Sequence, residues 1–373
     1  MVSEIAEFDI LIIGGGLAGL TCALHLSKST NKRIALIEKY SYPHHKVCGE
    51  YISNEVILYL NNLGIDPIAE GAKNITNFEL STVNGKKLKT KLPLGGFGMS
   101  RYAIDDLLYR EVRKTTHMIF DTVTTVEFSS ERFTVHTQLK SVYKATYIVG
   151  AFGKRSNLDV FLNRKFIQKK TPWMAVKAHY EYNFPEDTVA LHNFKGGYCG
   201  LSKIESGWVN ACYLATVSSF KKYKSIETFQ KKRLSENKHL KHFFETAILK
   251  FEKPLTISQI SFEEKEPVEN HIFMVGDSAG LIHPLCGNGM AMAIHSAKLF
   301  SELFIQNKQG RATLEETYAN AWNNTFSGRL KAGRRIQKLL LNPYSSAISY
   351  RVIRLFPSLI PWIIQKTHGS PIQ

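Results

Sequence analysis

Between Phe8 and Ile13 every position except Asp9 is apolar, the pattern of a short strand buried on both faces of a parallel sheet. Glycines follow. Ala18, Leu20, Ala23, Leu24 and Leu26 then offer small and apolar positions for a helix that packs back on that sheet, and Arg33 to Ile37 predicts the next strand. The strand signal returns at Tyr147 to Ala151. It returns again at Ile272 to Val275, ahead of Gly276-Asp277, a loop and a helix beginning near Gly287. In "GMSRYAIDDLLYREV", Ser100 and Arg101 lead into a helix whose apolar positions are Ile104, Leu107, Leu108 and Val112. Strands alternating with helices predict an α/β chain.

The turn between first strand and helix carries Gly14, Gly16 and Gly19 in G-x-G-x-x-G order. Gly14 permits the tight turn, Gly16 lets a pyrophosphate approach the backbone, and Gly19 lets helix and strand pack closely. The phosphate then meets free N–H groups at the positive end of the helix dipole. Glu38 ends the second strand about 20 residues later, where a carboxylate accepts ribose hydroxyls; Lys39 stands beside it. Strand, glycines, helix, strand and acid in register predict a Rossmann-type dinucleotide site. Asp277, at a strand's carboxyl end, suits a polyol such as a ribityl chain, with a helix cap as the plainer alternative.

The chain has 373 residues, enough for one large or two ordinary domains. Five cysteines without a CxxC spacing argue against a disulfide framework or a structural zinc, so a reducing cytoplasm is expected. No apolar stretch reaches the length of a membrane span, and the N-terminal run is too short for a secretory core. Lys and Arg number 48 against 32 acidic residues, a formal charge of +16. The run Lys221 to Lys241 reads as a basic helix: either a solvated face, or a dock for anionic lipid head groups or an acidic carrier protein. No nucleic-acid motif accompanies the charge.

Together the segments resemble the flavoprotein family that includes p-hydroxybenzoate hydroxylase, the flavin halogenases and the geranylgeranyl reductases. The resemblance spans roughly residues 8–300. It implies that FAD is the cofactor, with Gly14, Gly16 and Gly19 on the pyrophosphate, Arg101 against the FAD and Asp277 on the ribityl chain. It also places the P-x-x-G-x-G loop, Pro284-Leu285-Cys286-Gly287-Asn288-Gly289 with Met290 behind it, beside the isoalloxazine. N–H groups at a helix start can stabilise the negative charge of a reduced flavin. Pro284 and Gly287 are therefore catalytic candidates.

The stretch "YPHHKVCGEYIS" keeps Pro43, the pair Cys48-Gly49 and Glu50, and is most similar to the reductases. Cys48 would lie near the flavin ring, as a weak proton donor or a group that tunes substrate position; the alternative is a packed small residue. His44 and His45 are candidate general acids or exposed loop residues. "GGYCGLSKIESGWVNACYL" holds neither the halogenase Trp-x-Trp-x-Ile-Pro nor the reductase Phe-Pro. What is expected is a cavity roofed by strands that include His179 to Tyr182 and Tyr198 to Leu201.

The predicted fold is a Rossmann-type FAD-binding domain (residues 1–75, 98–170 and 265–325) interleaved with a β-sheet substrate domain (76–97 and 171–264). A helical C-terminal segment follows at 326–373. That segment mixes Arg334, Arg335, Lys338, Arg351 and Arg354 with Leu339 to Leu341, Phe356, Ile360, Trp362 and Ile363. It reads as a cap on the cavity or as a peripheral membrane anchor. No second glycine-turn unit is present for a nicotinamide, so electrons come from a visiting NAD(P)H or a separate reductase. The favoured activity is reduction of C=C bonds in a hydrophobic isoprenoid or polyene. A monooxygenase acting on an aromatic or polyketide-like compound and a non-catalytic flavin-binding module are the alternatives.

Overall fold

A computed structural model of the chain describes residues 6–341, 352, 355 and 358–373. Two sheets organise it. The first has eight strands, and five of them run parallel in the order Ile272–Met274, Val142–Gly150, Ala6–Ile13, Ile34–Glu38 and His117–Phe120. Ile10 to Ile13 and Ile34 to Ile37 are buried on both faces, as an apolar run in a helix-covered parallel sheet must be. Helix Leu17–Ser29 covers one face and packs against helices Arg101–Val112 and Gly289–Gln306. The carboxyl ends of four parallel strands converge on the glycine turn, where an open α/β sheet receives its ligand.

The second sheet has nine strands, almost all antiparallel, and its two faces differ. Along Trp173–Glu181, Met174, Val176, Ala178 and Tyr180 face a core built with Phe229, Leu240 and Phe243. Trp173 and Ala175 face the opposite way, toward the first sheet, with Leu191, Tyr198 and Leu214 from neighbouring strands. The period of two thus sets the side that carries chemistry.

Three expectations are corrected. The basic run 221–241 is not one helix: it follows a first short helix, Val217–Phe220, and is itself divided between a second, Ile226–Lys232, and a third, Lys238–Thr246. Ser225 and Asn237 side chains cap the second and third pieces by accepting from Thr228 N and His239 N, which favours new helix starts over continuation. The late helix begins at Gly289, after a short 3-10 turn at Pro284–Cys286. Of strand Trp173–Glu181, Ala175 reaches the cavity roof, whereas Tyr180 packs on the outer face and His179 turns to Glu50.

Helix Arg311–Leu341 runs along the first sheet's side, and helix Leu359–Thr367 closes the far end of the space between the sheets. Its trailing residues are pinned: Gly369 N donates to Glu55 Oε2 at 2.5 Å and Ile372 N to the Glu55 carbonyl at 2.8 Å. Arg351, Arg354, Phe356 and Pro357 lie outside the described residues. No described helix is long and apolar enough to cross a membrane.

Candidate functional site

The glycine turn is shaped by close approach. Gly14 sits at φ +104°, and a Cβ there would overlap the Ala151 carbonyl; a Cβ on Gly19 would overlap the Gly14 carbonyl. These two glycines let strand and helix touch. Gly16 is different: it lines the cavity, with the Arg101 guanidinium 3.5 Å from where its Cβ would stand. Gly15 N donates to Glu38 Oε2 at 2.7 Å, and the Tyr42 hydroxyl donates to the Gly15 carbonyl at 2.5 Å. Tyr42 in turn stacks on Tyr109, with ring centroids 4.3 Å apart. Glu38, expected to accept ribose hydroxyls, accepts here from the turn itself and from Tyr40 N at 3.2 Å.

One continuous cavity of about 340 Å³ runs between the sheets. Gly16, Arg101 and Asp277 line one end, Cys48 and Gly287 its middle, and Leu80, Leu214 and Ile364 the other. Pro284, Gly289 and Met290 also face it. Gly287 adopts the left-handed conformation, φ +66°, with Tyr51 just beyond. Helix Gly289–Gln306 then starts with its first amides directed at the cavity, the positive end of a dipole. The turn, the arginine, the Asp277 carboxylate and the helix start share one elongated space, which fits an extended dinucleotide such as FAD.

Two predicted residues stand apart. Lys39 is exposed, with its Nζ 4.7 Å over the Tyr40 ring. Asn288 is fully buried and turns away from the cavity, its amide donating to Glu55 Oε2 and the Thr367 carbonyl, both at 3.0 Å. It ties the loop to the helix that walls the far end. Of the two candidate acids, His44 donates its Nδ1–H to the Ser41 carbonyl at 2.8 Å. His45 packs on Tyr102 and Phe251 and is pushed down to about 4 by burial, then by Lys177 and His179.

Two buried carboxylates complete the site. Asp105, one turn into helix Arg101–Val112, is 1 % exposed and holds Arg101 through both oxygens, at 2.8 and 2.7 Å, with Lys46 at 2.9 Å. Burial opposes its charge, but Arg101 and Lys46 hold its carboxyl below the usual carboxylate range. Glu50 accepts from Arg101 N (2.9 Å), Lys177 Nζ (2.9 Å) and His179 Nε2 (2.6 Å). The spacing of Arg101 and Asp105, four apart on a helix, was a usable signal; nothing local pointed to Lys177. Lys265, with its pKa lowered to about 8 by burial, donates to the carbonyls of Asp277 (2.7 Å) and Lys154 (3.0 Å) and so braces the Asp277 turn.

Comparison with known proteins agrees with this geometry. The family model described as FAD binding domain matches residues 7–322. A digeranylgeranylglycerophospholipid reductase of Methanococcus aeolicus is 23% identical over 96% of this chain and 97% of its own length. Conditioned medium factor receptor 1 of Dictyostelium discoideum is 22% identical over 80% of this chain, and the match spans only 63% of that longer protein. Among solved structures, Klebsiella pneumoniae HpxO complexed with FAD and uric acid superposes with a TM-score of 0.80 at 14% identity, covering 99% of this chain and 98% of that one. That likeness is one of fold.

Proposed function

Since the chain belongs to the FAD binding domain family and is a flavin-dependent oxidoreductase, we propose that it saturates C=C bonds in a lipophilic isoprenoid or polyene. The observation that carries this reading is the far half of the cavity. Leu80, Leu92, Val189, Leu191, Leu214 and Ile260 line it with Ile360, Ile363 and Ile364, and Tyr198, Thr367 and His368 are the few polar side chains beside them. Branched aliphatic walls suit a branched aliphatic chain, and a charged or strongly polar substrate would lose its hydration without replacement partners. The reductase named among the relatives supports the same class of substrate.

When bound, FAD supplies the two electrons. The protein supplies the geometry. Gly16 and the first turn of helix Leu17–Ser29 present N–H groups to the pyrophosphate, and Arg101, aimed by Asp105, adds a cation beside it. Asp277 accepts from the polyol, and the amides at Gly287 to Met290 hold developing negative charge. Cys48 stands where the cofactor and aliphatic ends meet, with its carbonyl held by Asn210 Nδ2 at 3.2 Å. Electrons reach the flavin from NAD(P)H or from a separate reductase. Exposed Leu355 and Trp362 near Lys366 support delivery of substrate from a lipid surface, and the basic segments of 221–241 support docking of an acidic carrier.

The test is a single turnover of chemically reduced enzyme with a host lipid extract, with and without oxygen, read by product mass. A gain of two hydrogens that survives anaerobically is expected. A gain of one oxygen, in air only, overturns the reading in favour of a monooxygenase.

A further inference from the structure

On strand Trp173–Glu181 the cavity-facing register continues past Trp173 and Ala175 to Lys177 and His179, which are 0 % and 1 % exposed. An apolar wall calls for another Leu or Val at these positions. Two buried basic groups need a reason, and their shared partner is Glu50, itself fully buried two residues after Cys48. Glu50 is held at φ 54°, in the left-handed region that disfavours a glutamate. Its Oε1 takes both Lys177 Nζ and the Arg101 N–H, while Oε2 takes only His179 Nε2–H among the described residues.

That division matters. Lys177 and the Arg101 amide share Oε1, so the carboxylate keeps a counter-ion and a donor of its own while Oε2 is left to His179. Burial opposes the charge on Glu50, but His179 and Lys177 hold it below the usual carboxylate range, so it passes a proton on without keeping it. Glu50 borders the cavity beside Cys48. On its other side, His179 lies under a single layer of rings: Phe251 at 4.8 Å, His45 at 5.2 Å and Trp208 at 6.4 Å between centroids. His45 is half-buried, and its Nδ1 has no partner among the described residues. Other titratable or charged groups facing the cluster are Arg101, His44, Tyr102, Cys48, Lys154, Cys212 and, beyond Trp208, Lys250.

We propose that His179, acting through Glu50, delivers the proton of the reaction to the Cys48 end of the cavity, and that His45 refills it from solvent. This rests on the reductive reading above. Saturating one C=C forms two C–H bonds. One carbon takes a hydride from the reduced flavin, which is left oxidised; the other takes H⁺ from His179 by way of the Glu50 carboxylate, and solvent restores the proton on His179. Lys177 is a positioning residue that keeps Glu50 ionised.

The test uses the FAD-loaded full chain and the variants Glu50→Gln and His179→Asn, the latter retaining a side chain that can donate to Glu50. The same route supplies the proton that the flavin takes up on reduction at that end of the cavity, and this uptake is followed with an indicator dye after photoreduction, without substrate. Uptake slowed at least about tenfold in both variants, with unchanged FAD affinity, is the expected result. Uptake at the wild-type rate in His179→Asn overturns the proposal even where Glu50→Gln fails to fold. In a second arm, anaerobic turnover of a polyene should show a solvent deuterium effect that His179→Asn removes. If the wild type saturates no polyene while uptake is still slowed in the variants, the substrate reading fails and the proton route stands.

Discussion

The two halves of the cavity are built on opposite principles. At the cofactor half the shaping polar groups have fixed partners: Glu38 holds Gly15, Asp105 holds Arg101 and Lys46, and Lys265 holds the Asp277 turn. At the substrate half the walls are mostly interchangeable aliphatic side chains from one face of the second sheet and a helix. A cofactor that stays needs fixed donors, whereas a flexible chain needs room and no unpaired dipole. The first half should therefore be intolerant of single substitutions and the second tolerant of all but polar ones.

The strongest way to break this contrast is at the turn. Gly19→Val should reduce FAD affinity by about 100-fold or more, because the side chain must displace the Gly14 carbonyl; flavin absorbance retained through gel filtration measures it. Next comes Asp105→Asn. It leaves Arg101 and Lys46 facing one another without their counter-ion, and a loss of about 3 kcal/mol in unfolding free energy is expected in denaturant titration. Its pH signature has a definite sign. A carboxyl depressed in the folded state contributes stability above its unfolded pKa of about 3.9, lost as pH falls through the lower folded value. Asp105→Asn should flatten that acid limb and leave the neutral-to-basic limb alone.

At the substrate half, Leu80→Gln should raise the KM for an apolar substrate about tenfold while FAD affinity stays within about twofold of wild type. A parallel loss of FAD would erase the distinction between the halves. The smallest effect is expected at their junction. Cys48→Ala should lower turnover by about threefold, since proton delivery is assigned to Glu50 and His179 and the thiol only shapes the space; unchanged turnover and product would leave Cys48 as packing alone.

What the sequence made legible follows the same boundary. The turn, the strand ends and the late loop are encoded by neighbours in sequence: an apolar run, glycines at fixed offsets, an acid about 20 residues on. Ser225 and Asn237, the caps that divide the basic run, were equally local signals, but a continuous charge pattern masked them. Glu50 with Lys177 and His179 could not be read, because the partners lie 127 and 129 residues apart and meet only through sheet register. Lys46 on Asp105, 59 residues away, is hidden for the same reason, although Arg101 to Asp105 was not. Asn288 shows the converse: its motif position was recognisable, yet its amide serves Glu55 and Thr367, contacts a motif cannot encode.

The pinning of Gly369 and Ile372 to Glu55 also sets a calendar for biosynthesis. These contacts join residues more than 300 positions apart, which at about 5–20 residues per second is on the order of 15–60 s of translation. Throughout that interval the nascent chain has the glycine turn but not the helix that walls the far end of the cavity. The ribosome-bound protein is an open vessel, with the aliphatic half of its cavity unwalled until the last residues emerge.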